Sequence, residues 1–139
     1  MIPQNAIELA KQFEGWSPKV YLCPAGFFTI GFGHLCKKTH PAISKAQGEE
    51  YLKQDMLSAL HGTLKYCPVL LRESEEKLGA IVDFVFNLGA GRLQASTLRR
   101  RINQRNWPAV RKELQKWVYG GGRKLNGLVA RRKMESMFF

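Results

Sequence analysis

No uninterrupted apolar run in the 139 residues approaches the ~20 that a membrane-spanning helix needs. The opening MIPQNAIELAKQFEGW has no basic leader followed by an apolar stretch, so neither a secretory signal nor an anchor is expected. Cysteine is scarce. Cys23, Cys36 and Cys67 are odd in number and show no C-x-x-C spacing, which argues against a disulfide framework and a zinc site and points to reduced thiols. The phosphate-loop pattern G-x-x-x-x-G-K-[ST] is also missing. The reading therefore assigns no metal and no cofactor.

Acidic residues are lacking in one region. Residues 92–139 carry 13 Lys and Arg against 2 Asp and Glu, so the whole net charge of +11 lies in the last third. Such a region attracts an anionic polymer or surface. The run Arg99-Arg100-Arg101 raises nucleic acid as one candidate. No zinc finger, RNA-recognition signature or basic zipper accompanies it, so nucleic acid is not the expected partner. An anionic outer-membrane or membrane surface, met through residues 92–139, is kept in its place. The length suits one monomeric domain with its own core.

What is present is mostly helix, with one short β-rich stretch. Pro3 can open a helix whose face is Ile7, Ala10 and Phe13, and Gly15 stops it just after Glu14. Residues 19–22 and 27–32 read as two strands around a Cys-Pro-Ala-Gly turn, with a third short strand at 35–38. Ser44 and Gln47 form a capping-box pattern for a long helix over 45–65, which Pro68 ends. Ser74 caps a further helix whose Leu78–Leu88 portion is apolar nearly all round and so expected to be buried. Ser96 and Asn106 start two more helices, 120–127 reads as a loop, and a closing helix follows over 128–138. The predicted architecture is α+β and mainly helical. An N-terminal helix and small antiparallel sheet (1–42) are joined by the long helix to a helical lobe (66–139).

Chemistry concentrates in Glu14 through His34. A carboxyl at the negative end of a helix, set against Phe13 and Trp16, is pushed towards its protonated form by partial desolvation and by the helix dipole. A general acid needs that form. The helix stop and the hairpin can bring Glu14, Cys23 and Thr29 to one pocket. Gly31 and Gly33 flank Phe32, and their missing side chains allow backbone or ligand to approach.

These residues carry a resemblance. The spacing of Glu14, Cys23 and Thr29, with E-G, Tyr21, Ala25-Gly26 and T-I-G-F-G-H, is similar to that of phage-type lysozymes, the endolysins of glycoside hydrolase family 24. So are F-N-L-G at 86–89, S-T-L at 96–98, W-V-Y-G-G-G at 117–122 and G-L-V-A-R-R at 127–132. The resemblance spans nearly the whole chain in order. It implies a lysozyme-like fold and a muramidase that cuts the β-1,4 bond between N-acetylmuramic acid and N-acetylglucosamine in peptidoglycan. It also implies synthesis in a host cytoplasm, a holin for access, and action on the wall in the periplasm.

By the same resemblance Glu14 matches the general acid and Thr29 the threonine that helps position the attacking water. Cys23 stands where the family usually has Asp. A free thiol is only slightly ionised at neutral pH, which leaves three roles open for Cys23: it orients water as a weak base, it attacks the sugar as a thiolate, or it is inert. The first is the working hypothesis. His34 is expected to pair with Asp55, clamping the sheet to the long helix. Arg131 and Arg132 are expected to approach Glu14 from the last helix, and Tyr21, Phe28 and Gly31 to line the sugar cleft. Two rival functions remain: a lytic transglycosylase acting on the same bond, and a basic wall- or nucleic-acid-binding protein without catalysis.

Overall fold

The computed structural model describes residues 1–139. The first helix, α1 (Gln4–Glu14), stops where expected: Gly15 has φ 70°, a left-handed value that suits glycine, and its N–H closes on the Lys11 carbonyl. Three strands follow in the antiparallel order β1 (Ser17–Leu22), β2 (Phe28–Gly31) and β3 (His34–Leu35). The register sets Tyr21 opposite Thr29 and Leu22 opposite Phe28, while Thr29 and Ile30 face Leu35 and His34 on the other side. The third strand was expected at 35–38. It begins one residue earlier and ends after two, because pairing with the four-residue β2 leaves Cys36 only a single bond back to Phe28.

The long helix α2 (Lys45–Tyr66) starts as its capping serine requires, with Ser44 Oγ accepting from the Gln47 N–H at 3.1 Å. At about 1.5 Å per residue it runs roughly 33 Å and joins the sheet to the rest. Gly48 lies directly beneath the Trp16 ring and leaves the room that the ring occupies. A 3₁₀ turn (Pro68–Arg72) leads into α3 (Glu75–Leu88), capped by Ser74. Residues 79–85 of α3 are all buried, and α1, α2 and the last helix pack around it.

Three short helices complete the helical lobe: α4 (Ala90–Gln94), α5 (Thr97–Asn103) and α6 (Trp107–Leu114). The Ser96 and Asn106 side chains cap the last two. The stretch 120–127, expected to be a loop, contains part of a small hairpin, β4 (Tyr119–Gly120) with β5 (Arg123–Lys124). Gly121 and Gly122 turn it with φ 59° and 79°, the positive pair that a two-residue hairpin turn demands. The closing helix α7 (Asn126–Ser136) begins two residues before its expected start. No helix is long and apolar enough to cross a membrane.

Candidate active site

Glu14 is the last residue of α1, and its carboxyl group rests on Gly33. A Cβ placed at residue 33 would lie 2.7 Å from Glu14 Cδ and Cγ, so no other side chain fits beneath the acid as it stands. Gly33 also has φ 76°, in the region that glycine tolerates best. Arg131 reaches Glu14 from α7: its Nη1 donates to Glu14 Oε2 at 2.5 Å. The acid that the sequence sets at a helix end beside aromatic rings thus has a cation as its direct partner. The Arg131 guanidinium also lies over the Phe13 and Phe86 rings, with centroids 5.7 and 5.9 Å away.

Cys23 and Thr29 meet through a single residue, Phe27. Its N–H donates to Cys23 Sγ at 3.4 Å. Its carbonyl accepts both the Cys23 N–H at 2.9 Å and the Thr29 hydroxyl at 2.9 Å. The turn from Cys23 to Phe27 is tightened by a bond from the Gly26 N–H to the Cys23 carbonyl, at 2.8 Å. Two chemical consequences follow. The Thr29 proton is committed to a backbone carbonyl, which leaves the hydroxyl oxygen able to accept from a water. The Cys23 sulfur receives a backbone donor, which fixes its place beside the turn.

Tyr21, across the sheet from Thr29, ties the two halves together. Burial raises its phenol above the ordinary value, and the nearby charges of Glu14 and Cys23 raise it further. Tyr21 thus lies within reach of the charges of both Glu14 and Cys23 and opposite Thr29 in the sheet. Phe28 is partly exposed at the rim, with Phe27 more so. Gly31 is not at that surface. It is buried against Ile43, Trp16 and the Gly48 backbone, so its bareness serves the packing of sheet on helix and offers no face to a sugar.

His34 pairs with Asp55 as expected, Nδ1 to Oδ2 at 2.7 Å, and joins β3 to α2. Its ring stacks on Tyr51, whose hydroxyl lies 3.1 Å from His40 Nε2. Arg132, expected near Glu14, turns inward instead. It is fully buried over the Phe84 ring, 2.8 Å from Glu135 and 2.8 Å from Asn87 Oδ1. No group of three or more His, Cys, Asp or Glu side chains is placed to hold a metal ion.

With this geometry in view, the comparisons decide the family. The family model for phage lysozyme matches residues 11–135. The chain belongs to the phage lysozyme family. It is 36% identical to the endolysin of Bacillus phage B103 over 99% of its own length and 53% of that protein, so it spans about half of that relative. It is 33% identical to the SAR-endolysin of Bacteriophage PS119, covering 88% of this chain and 73% of that one. Among solved structures, the endolysin from Escherichia coli O157:H7 phage FAHEc1 superposes with a TM-score of 0.83 at 28% identity, over 99% of this chain and 92% of that one.

Two carboxyl groups of this family member were not singled out from the sequence. Asp83, fully buried on α3, holds Arg131 at two points: Nε to Oδ2 at 2.9 Å and Nη2 to Oδ1 at 2.7 Å. Glu135 on α7 is fully buried, pairs with Arg132 and lies near enough to Asp83 to feel its charge. Burial pushes Glu135 well above the usual carboxyl range; the Asp83 charge adds to this, against the pull of Arg132. A signal for Asp83 was available, since an acid inside the apolar run LGAIVDFVFNL requires a buried cation. Glu135 sits in an ordinary polar helix and gave none.

Proposed function

We propose that this member of the phage lysozyme family is a muramidase that hydrolyses the β-1,4 bond between N-acetylmuramic acid and N-acetylglucosamine in peptidoglycan. Glu14 protonates the leaving glycosidic oxygen as the bond to C1 breaks. A water held by the Thr29 hydroxyl and the Cys23 sulfur adds to C1, and Cys23, as thiolate, takes the water's proton. The shared Phe27 backbone carries this reading, because one residue fixes both water-handling side chains relative to the sheet. Tyr21 and Phe28 then flank the sugar.

The chain works as a monomer, made in the host cytoplasm and admitted to the wall by a holin. The basic residues 92–139 favour an anionic outer-membrane or membrane surface. A lytic transglycosylase is the second reading, favoured by the absence of the usual Asp at residue 23. It needs the acid but closes the sugar on itself in place of using water. Mass spectrometry of released muropeptides separates the two: hydrolysis gives free reducing ends, and transglycosylation gives anhydro ends.

A further inference from the structure

Arg131 poses a difficulty for the assignment of Glu14. A guanidinium bonded to a catalytic acid stabilises the carboxylate, whereas a general acid must carry a proton into the reaction. The arrangement behind Arg131 resolves the difficulty. Three of its N–H groups are engaged, two on Asp83 at 2.9 and 2.7 Å and one on Glu14 at 2.5 Å. Asp83 is fully buried and Arg131 is 3% exposed, whereas the Glu14 side chain keeps 18% of its surface. Water therefore does not screen the pair on the Asp83 side, and the two-point grip fixes the guanidinium plane.

We propose that Asp83 is a positioning residue for Glu14: it clamps Arg131 at two points and takes up its charge, so that Arg131 orients the acid without locking it as a carboxylate. The inference rests on the reading of Glu14 as general acid. Burial is the largest single influence and raises Asp83, but Arg131 and the other polar neighbours together outweigh it and lower the carboxyl, so Asp83 stays charged. Burial likewise works against the Arg131 cation, and Asp83 and then Glu14 more than restore it. The groups facing this cluster are Glu14 on α1, Tyr21 on β1, and Arg131, Arg132 and Glu135 on α7. Asp83 is the anion that stays bonded to Arg131 when Glu14 is protonated. Removing its charge leaves the Arg131 guanidinium without its two-point anion and opposes that proton.

The test is the pH dependence of kcat and KM on purified peptidoglycan for the wild type, Asp83→Asn and Asp83→Glu. Asp83→Asn should move the alkaline limb down by about one pH unit, the low end of shifts caused by one nearby charge. At pH 7 it should lose kcat about tenfold with KM little changed, and it should recover at lower pH. Asp83→Glu keeps the charge and should keep the limb in place. A folded Asp83→Asn with the wild-type profile overturns the proposal, as does an equal displacement in Asp83→Glu. If Asp83→Asn does not fold, the double variant Asp83→Asn/Arg131→Gln removes both charges together. Its limb should stay at the wild-type position with kcat reduced, and a limb moved to higher pH would show that Arg131 acts unshielded and would overturn the proposal. NMR titration of an isotope-labelled Glu14 carboxyl reads the same coupling without turnover. A displaced midpoint, together with an active Glu14→Gln enzyme, would sustain the coupling while removing Glu14 from catalysis.

Discussion

Replacing Gly33 by alanine probes how closely the Glu14 carboxyl is seated. The new Cβ would stand 2.7 Å from Glu14 Cδ, where ordinary contact begins at 3.4 Å, so the acid must retreat by about 0.7 Å. That is enough to stretch or break its 2.5 Å bond to Arg131. A displacement of ~1 Å in a reacting group can cost ~100-fold in rate, so turnover should fall roughly 10- to 100-fold with little change in KM. The backbone adds a separate penalty. A side chain at φ 76° costs about 1–2 kcal/mol, a loss of roughly 3–8 °C in melting temperature for a domain of this size. Gly89→Ala is the control, because Gly89 has φ 96° and nothing within 4 Å of a new Cβ. It should lose comparable stability and keep full turnover. Calorimetry and peptidoglycan turnover on both variants distinguish strain from displacement. Full activity in Gly33→Ala would refute the seating of Glu14 on Gly33, and an equal loss in Gly89→Ala would show that strain alone explains the effect.

The buried groups support three further predictions. Cys67 is fully buried and its thiol is pushed up to about 12, so iodoacetamide at pH 8 should label Cys23 and Cys36 in the native protein but spare Cys67 until it is unfolded; peptide mass spectrometry reads this directly. Asp83 has a folded value below its unfolded one, so its stabilisation is present above the unfolded carboxyl range near ~3.9 and is lost as pH falls through the lower folded value. Asp83→Asn should therefore cost about 3–5 kcal/mol at neutral pH, with the gap to wild type closing in denaturant melts taken at progressively acidic pH. Glu135 has the opposite sign: its contribution is present below the unfolded carboxyl value and is lost as pH rises towards the folded one. Glu135→Gln should consequently compare best with wild type at high pH.

Local signals made most of the fold legible. Ser44, Ser74, Ser96 and Asn106 each cap the helix that their position announced, because a capping side chain needs only the N–H two or three residues ahead. The β4–β5 hairpin was missed because two-residue strands carry no alternation, and the paired glycines looked like a plain connector. In the site, Glu14 and Arg131 could be placed together only through the family resemblance, since 117 residues separate them. Gly31 was misplaced because a bare residue suits close packing as well as ligand approach, and sequence does not say which neighbour is close. Asp83 was passed over for a different reason. It lay within a run read for its apolar character, and its partner sits 48 residues away on another helix.

The shared hold of Phe27 on Cys23 and Thr29 makes water activation the central claim, and it can be measured on the products. Purified peptidoglycan is digested by wild type, Glu14→Gln, Cys23→Ser and Cys23→Asp, and the muropeptide ends are identified and timed by mass spectrometry. Wild type should give free reducing ends, Glu14→Gln almost none and Cys23→Ser far fewer, while Cys23→Asp should retain activity, because its carboxylate can take the water's proton. Anhydro ends from the wild type, or full hydrolysis by Cys23→Ser, would contradict the claim.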